Sequence, residues 1–252
     1  MPAAFSRPAT FATLAALLAA TLASSGCGSA PPAAPPPPPV EEGTAAGGAQ
    51  AGPELPAVEQ EVGALNEQAT TKAFFGLLPK MERCQQEGRA RDERLEFLAG
   101  DVELVVHIRR DGGARRAFLA KSTLGDHAAE QCIVAAARAA SWPRPEGGGD
   151  GVAKNAFQLP LRADRDAVSW NDAKIAPALG ASARAFRACR RGNRSRIELT
   201  AYVDRDGTVI AAGASTPDGE ADAVAGCMVK AAKGLKLPSP GGWPAKVTFA
   251  AP

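Results

Sequence analysis

An internal repeat constrains this chain more than any other feature. The stretch VELVVHIRRDG at residues 102–112 returns as IELTAYVDRDG at residues 197–207, an offset of 95 positions. The same offset aligns Cys132 with Cys227, and Cys84 upstream matches Cys189 at an offset of 105. Self-similarity of this kind predicts two copies of one structural unit. We place them at 72–161 and 174–251.

Each copy predicts the same order of elements: helix, strand, strand, helix, strand. The opening strand alternates apolar and polar residues, which is typical of a half-buried strand, and it ends in Asp-Gly, a strong hairpin signal. Ser-Thr and Asp then provide helix caps, and each second helix stops before a Pro-x-Pro. The last strands are predicted at 153–159 and 245–249. The fold class is therefore α+β, with a three-stranded antiparallel sheet in each unit, both helices on one face and the other face wet.

The N-terminus is typical of an exported protein. Residues 1–26 have an early arginine, a short apolar run and small residues, as in a secretory signal peptide. The ending SSGC resembles a lipobox, in which Cys27 is acylated; the alternative is ordinary cleavage nearby, which leaves a free thiol. Residues 27–56 are rich in proline and glycine and predict a tether, either a plain spacer or a proline ligand for a partner. Residues 57–71 have helical apolar spacing and predict a short amphipathic lead-in helix.

The four cysteines of the repeats permit three pairings, of which only Cys84–Cys132 with Cys189–Cys227 is symmetrical. In an exported protein these pairs are expected as disulfides that join the two helices of each unit. Free thiols and metal ligation are the alternatives.

No catalytic, metal or cofactor site is predicted. His107 and His127 are interpreted as surface residues, and helix capping explains Ser122 and its neighbour without nucleophilic chemistry. Hairpin geometry explains Asp111 and Asp206 as well as calcium binding would. A net charge of +2 and 5% aromatic residues argue against nucleic acid as a partner.

The motifs FGLLPKMERC, GDVELVVHIRRDGG, KSTLGDHAAEQC and WPRPEGG resemble the AgmX/PglI C-terminal domain. This is a TonB-like module found in lipoproteins and motility-associated proteins of myxobacteria. The first copy departs from the family pattern at Gln85 and Trp142, and the second is more degenerate, with STPDG in place of STLGD. The resemblance implies binding of envelope proteins by strand pairing at a sheet edge.

The sequence therefore favours a lipid-anchored adaptor on the periplasmic face of the outer membrane, with unidentified envelope proteins as partners. The last strand of each unit is the expected docking edge. The residues expected to contact a partner are Ala153, Asn155, Phe157, Leu159, Lys246 and Thr248. A structural envelope lipoprotein associated with peptidoglycan is the alternative, followed by an enzyme or an enzyme inhibitor.

Overall fold

The computed structural model describes residues 62–161 and 163–252, and the predicted α+β class is confirmed. The signal peptide, Cys27 and the tether lie outside the described residues. The first copy contains α1 (Glu67–Arg91), a 3-10 turn (Glu93–Leu95), β1 (Gly100–Ile108), β2 (Ala114–Ser122), α2 (His127–Arg138) and β3 (Gly151–Leu159). The second contains β4 (Val168–Trp170), a 3-10 turn (Asp172–Lys174), α3 (Ala176–Arg190), β5 (Glu198–Val203), β6 (Val209–Ser215), α4 (Asp222–Lys233) and β7 (Ala245–Ala250).

The two sheets differ by one strand. The first is antiparallel and three-stranded, in the order β2-β1-β3, as predicted. The second has the order β4-β7-β5-β6, and its extra strand β4 runs parallel to β7. The prediction of three strands is therefore wrong for the second copy. β4 has only three residues, which is too short for periodicity to reveal it.

The two hairpins share a turn that the Asp-Gly signal only partly predicted. Gly112 and Gly207 have φ angles of 84° and 83°, whereas neither preceding aspartate has a positive φ. Gly112 N–H donates to Arg109 O, and the β1–β2 register shifts at Ile108, so the loop is a turn closed by a glycine bulge. A Cβ at Gly112 would lie 2.6 Å from Trp142 O, so the close approach also requires glycine.

A separate lead-in helix does not form in the described part of 57–71. Residues 62–66 are not helical, and Ala64 forms an isolated bridge with Glu146. The helix begins at Glu67, capped by the Asn66 side chain. Proline in the sequence predicts that this helix bends or restarts at Pro79, but it continues through Pro79 without a restart. Buried side chains on both sides of Pro79 anchor the helix to the core, and this packing outweighs the local cost of proline. They are Phe74, Leu77, Met81 and Cys84.

Both disulfides join the helices of their own copy, as predicted. Cys84–Cys132 links α1 to α2 and Cys189–Cys227 links α3 to α4, with Cα–Cα distances of 5.7 and 5.5 Å. The first cysteine of each pair is buried, whereas Cys132 is half-buried and Cys227 is exposed. The sequence predicted an inward face of α2 with Cys132, Ala136 and Ala139, but the buried stripe is Ala129, Ile133 and Ala137, one position away. Each core lies between two helices and the inner face of a sheet.

The outer face of the second sheet is buried against the first copy, whereas the sequence predicted a wet face. Tyr202 is 1% exposed; its hydroxyl donates to Ala99 O at 3.0 Å, and its ring lies 5.3 Å from that of Phe97. Thr200 Oγ1 donates to Ser122 O at 3.2 Å on the same face. The two copies therefore share an interface. In the sequence, the residues of this interface look like ordinary solvent-exposed residues of a strand, because they are small or polar.

Candidate functional site

The edge strand β3 is the first candidate. In the first sheet Asp101 and Arg109 form their backbone hydrogen bonds toward β2, with Thr123 N–H and Gly113 O at 2.8 and 2.9 Å. Odd-numbered positions of β1 therefore bond β2, and even-numbered positions bond β3. Because the register is continuous from Gly100↔Leu159 to Ile108↔Gly151, the alternate residues of β3 direct their N–H and C=O groups away from the sheet. These residues are Val152, Lys154, Ala156 and Gln158.

The side chains that the sequence singled out on β3 face the opposite way from the exposed row. Ala153, Phe157 and Leu159 are buried in the core, and only Asn155 is exposed. The exposed row is Val152, Lys154, Ala156 and Gln158. Alternation identifies two faces but not which of them is covered, so Ala153, Phe157 and Leu159 were chosen although they lie in the core, and docking at this strand stays a prediction.

The predicted edge at 245–249 is not a free edge. β4 pairs with the first part of β7, with Ser169 opposite Lys246. The Lys246 ammonium donates to Ala99 O at 2.7 Å and lies over the Tyr202 ring, and burial lowers the pKa of this lysine to about 8. The Thr248 hydroxyl is hydrogen-bonded to that of Thr200 at 2.9 Å. Lys246 therefore serves the interface between the copies, which the residues of one copy alone do not reveal, whereas Thr248 is exposed and bonds a residue of its own sheet.

The last strand of each copy has a different neighbour on its outer side. In the second, Val168 N–H donates to Pro244 O at 2.9 Å and the chain continues as β4. In the first, Gly63 N–H makes the equivalent bond to Asp150 O at 3.1 Å, but Ala64 then pairs with Glu146. The segment at 62–66 thus turns away from β3 at the point where, in the second copy, β4 begins to pair with β7. Among the described residues, no strand pairs with β3 on its outer side.

A groove of about 940 Å³ opens beside the start of β3. Its floor includes a row across the sheet, in which His107 pairs with Arg116 on one side and with Val152 on the other. Val152 is 46% exposed. The rim is completed by Val62, Arg110, Arg115, Asp150 and the glycines 147–149.

The charge of this groove is positive. Among the described residues, three arginines line it against one carboxylate, Asp150, which Arg115 already engages at 2.9 Å. Arg116 lies over the Phe118 ring, 5.0 Å from its centroid. The pKa of His107 is lowered by burial and by the charges of Arg116 and Arg115. His107 is half-buried in this groove rather than fully solvated. A carboxylate brought near it would reduce the repulsion between a protonated His107 and the two arginines.

His127 lies in a different place, at the start of α2. It is half-buried rather than at the open surface, its Nδ1 has no hydrogen-bond partner, and burial lowers its pKa. The charges of Asp126 and of Asp222, which the offset of 95 aligns with His127, act on this pKa in the opposite direction.

Glu130 is a buried acid that the sequence analysis missed. Its carboxylate accepts hydrogen bonds from Ser122 Oγ at 2.7 Å and from Ala214 N–H at 2.8 Å, so it bridges α2 to β6. Complete burial raises its pKa to about 7. Gly213 lies directly against this carboxylate, where a Cβ would collide with it. Ser122 and Glu130 therefore serve the interface between the copies, and the helix-capping interpretation of Ser122 was incomplete.

The described residues contain no group of three or more His, Cys, Asp and Glu side chains suited to a metal ion. Nor does any helix among them have the length and apolar character needed to cross a membrane. Two disulfides suggest an oxidising, exported compartment.

Comparison with known proteins does not add a family. No protein-family model, curated protein or solved structure matches the chain.

Proposed function

We propose that this chain is a membrane-anchored adaptor lipoprotein on the periplasmic face of the outer membrane, with two TonB-like units, that binds envelope proteins by strand addition. The observation that carries the proposal is the outer edge of β3, nine residues long, which no strand among the described residues pairs with, in a sheet ordered β2-β1-β3. Such an edge offers main-chain groups for affinity and alternate side chains for selectivity.

The second copy supports this mechanism from within the same chain. There β7, the counterpart of β3, receives the added strand β4. The architecture of the unit is therefore compatible with one more strand at this edge. An unpaired edge of this length is also an aggregation hazard unless it is protected or used.

The anchor follows from the N-terminal pattern. Acylation of Cys27 would hold the protein at the membrane, and the tether at 27–56 would let the folded part reach partners beyond the lipid surface. The disulfides fit the exported compartment that such an anchor requires.

Photo-crosslinking in cells tests the docking edge. A photoreactive residue at Lys154 or Gln158, both exposed on β3, is expected to give a discrete protein adduct. The matched control is Arg184, which is exposed on α3, away from any sheet edge. Absence of adducts at both β3 positions, or the same adducts from Arg184, would contradict strand addition at this edge.

The proline variant Ala156→Pro provides a second test of the docking edge. Ala156 N–H points away from β1 and bonds only the neighbouring Asn155 side chain at 3.0 Å, so its loss spares the β1–β3 ladder. We expect a folded protein whose crosslinks from Gln158 are lost. Binding to purified sacculi that survives in this variant would instead favour a structural role at the peptidoglycan.

A further inference from the structure

We propose that the segment which docks on β3 is acidic, and that it places a carboxylate opposite Val152, in the groove lined by Arg110, Arg115 and Arg116. This inference rests on the proposed strand addition and specifies the chemistry of the partner. It comes from the repeat, which shows where an added strand lies, and from the charge of the surface at that place.

The second copy gives the register of an added strand. β4 pairs with β7 through Val168↔Ala245, Ser169↔Lys246 and Trp170↔Val247. Lys246 in turn pairs with Tyr202, as Val152 pairs with His107. Because His107 and Tyr202 are matched by the repeat, Val152 is the counterpart of Lys246. An incoming residue in the place of Ser169 therefore lies opposite Val152.

That residue shares a face with the groove. Side chains of directly paired residues lie on the same side of a sheet, about 4.5–5.5 Å apart at Cβ. The row Arg116, His107 and Val152 would gain the incoming side chain as its fourth member. This side chain would enter beside Arg115 and the glycine loop at 147–149, which form the rim.

The charge of the groove selects a carboxylate at this position. The one acid on its rim, Asp150, is already engaged by Arg115. The Arg115 side chain is 71% exposed and leaves donors free to bind a second oxygen. Two residues further along β3, Lys154 adds another cation on the same face, although it is paired with Glu103 at 3.0 Å. Acidic residues at two alternate positions of the partner strand would thus lie near positive charge, one in the groove and one beside Lys154.

Binding of three synthetic peptides to the full exported chain tests the proposal. The probes are nine-residue fluorescent peptides that alternate threonine with glutamate, with glutamine or with lysine. Fluorescence anisotropy is measured at low and at high salt. The full chain is used so that its own Glu59 and Glu61, which precede Val62, remain present. We expect the glutamate peptide to bind about tenfold more tightly than the glutamine peptide, with the difference falling as salt screens it.

A charge-reversal variant tests whether the groove causes the preference for glutamate. Arg115→Glu is expected to abolish the preference for glutamate, whereas Arg184→Glu, an exposed arginine on α3, leaves it unchanged. The partner strand should also protect the outward amides of Val152, Lys154 and Ala156 from hydrogen exchange. Equal loss of preference in both variants would show a general charge effect and overturn the proposal.

These experiments distinguish a failure of the acidic-partner proposal from a failure of the strand addition on which it rests. Equal binding of the glutamate and glutamine peptides, both lost in Ala156→Pro, would overturn the acidic partner and leave strand addition standing. A glutamate preference that Ala156→Pro does not change would mean that the groove binds anions without strand pairing, and would overturn strand addition. Binding of vesicles containing phosphatidylglycerol, without binding of any peptide, would overturn both in favour of a lipid surface.

Discussion

At the scale of single residues, Glu130 links folding to pH. Its pKa rises from an ordinary value of 4.5 to about 7 because the carboxyl is fully buried between the copies. Below pH 4.5 the group is neutral in both states. Between 4.5 and about 7 the unfolded chain releases the proton and the folded chain keeps it, so stability falls as pH rises. Above about pH 7 this contribution is constant.

The substitution Glu130→Gln tests that linkage. We expect the variant to lose the decline in stability between pH 4.5 and 7 and to be more stable than the parent at pH 8, by up to about 3 kcal/mol. The amide oxygen can still accept from Ala214 N–H, the amide nitrogen can donate to Ser122 Oγ with the hydroxyl now accepting, and the cost of a buried charge is removed. Urea denaturation across this pH range is the measurement. Glu87→Gln, at an exposed position of α1, is the control, and parallel pH profiles for Glu130→Gln and the parent would contradict the linkage.

At the scale of elements, the disulfides connect helices whose own packing is modest. α2 and α4 each present a stripe made largely of alanine and small aliphatic side chains, which buries little apolar area per residue. The bonds close loops with sequence separations of 48 and 38 residues. Restricting the unfolded chain over loops of this size contributes about 4 kcal/mol each on the chain-entropy account.

Removal of either pair should therefore be costly. We expect Cys84→Ala with Cys132→Ala, and separately Cys189→Ala with Cys227→Ala, to lower the free energy of unfolding by about 4 kcal/mol each. The longer loop predicts a slightly larger effect for the first pair. Urea denaturation of the purified variants measures this. Four free thiols in the native protein by mass spectrometry, or losses below about 1 kcal/mol, would contradict the structural role.

At the scale of the whole molecule, the two copies are joined by a shared interface and not only by the chain. The outer face of the second sheet uses Tyr202, Thr200 and Lys246 to contact the first copy, and Thr216 N–H donates to Leu119 O at 3.0 Å. Separating the copies would expose the buried Tyr202 ring to water and break the hydrogen bonds between the copies. We therefore expect the copies to unfold together.

Calorimetry of paired core variants checks this cooperativity. Leu104→Ala in the first core and Leu199→Ala in the second each remove a fully buried side chain, at a cost of about 2–5 kcal/mol. Both substitutions should shift one and the same transition to lower temperature. Two transitions, each sensitive to only one of the substitutions, would show that the copies unfold independently.

Several parts of this fold were predictable because their physical cause is local. The order of elements follows from apolar periodicity, and the hairpins follow from Asp-Gly at the end of each β1-type strand. The disulfide pairing followed from the symmetry of the repeat. The helix stripes were displaced by one position because alanine and cysteine give little contrast between a buried and a half-exposed position.

The sequence predicted β3 as a sheet edge, which the strand order confirms, but most of the side chains chosen there are buried, and docking at this edge stays a prediction. Ala153, Phe157 and Leu159 alternate as a docking row would, yet they lie in the core. The arginines of the groove come from the hairpin loop and the start of β2, within the stretch RRDGGARR at 109–116, a cluster of charge that the sequence reasoning passed over. The pairing of His107 with Arg116 and Val152 places this cluster beside β3, which the sequence does not show.

The amino-acid sequence by itself determined that the chain contains two α+β units with matched cysteines, because period, turn chemistry and repetition are written along the chain. Tertiary structure decided which strand edge stays open and which sheet face is covered. These depend on segments distant in sequence: three residues at 168–170 occupy the edge of β7, and the first copy covers Tyr202. Two similar units thereby acquire different free surfaces, and within the described part of the chain no strand pairs with the outer edge of β3, which lies beside positive charge.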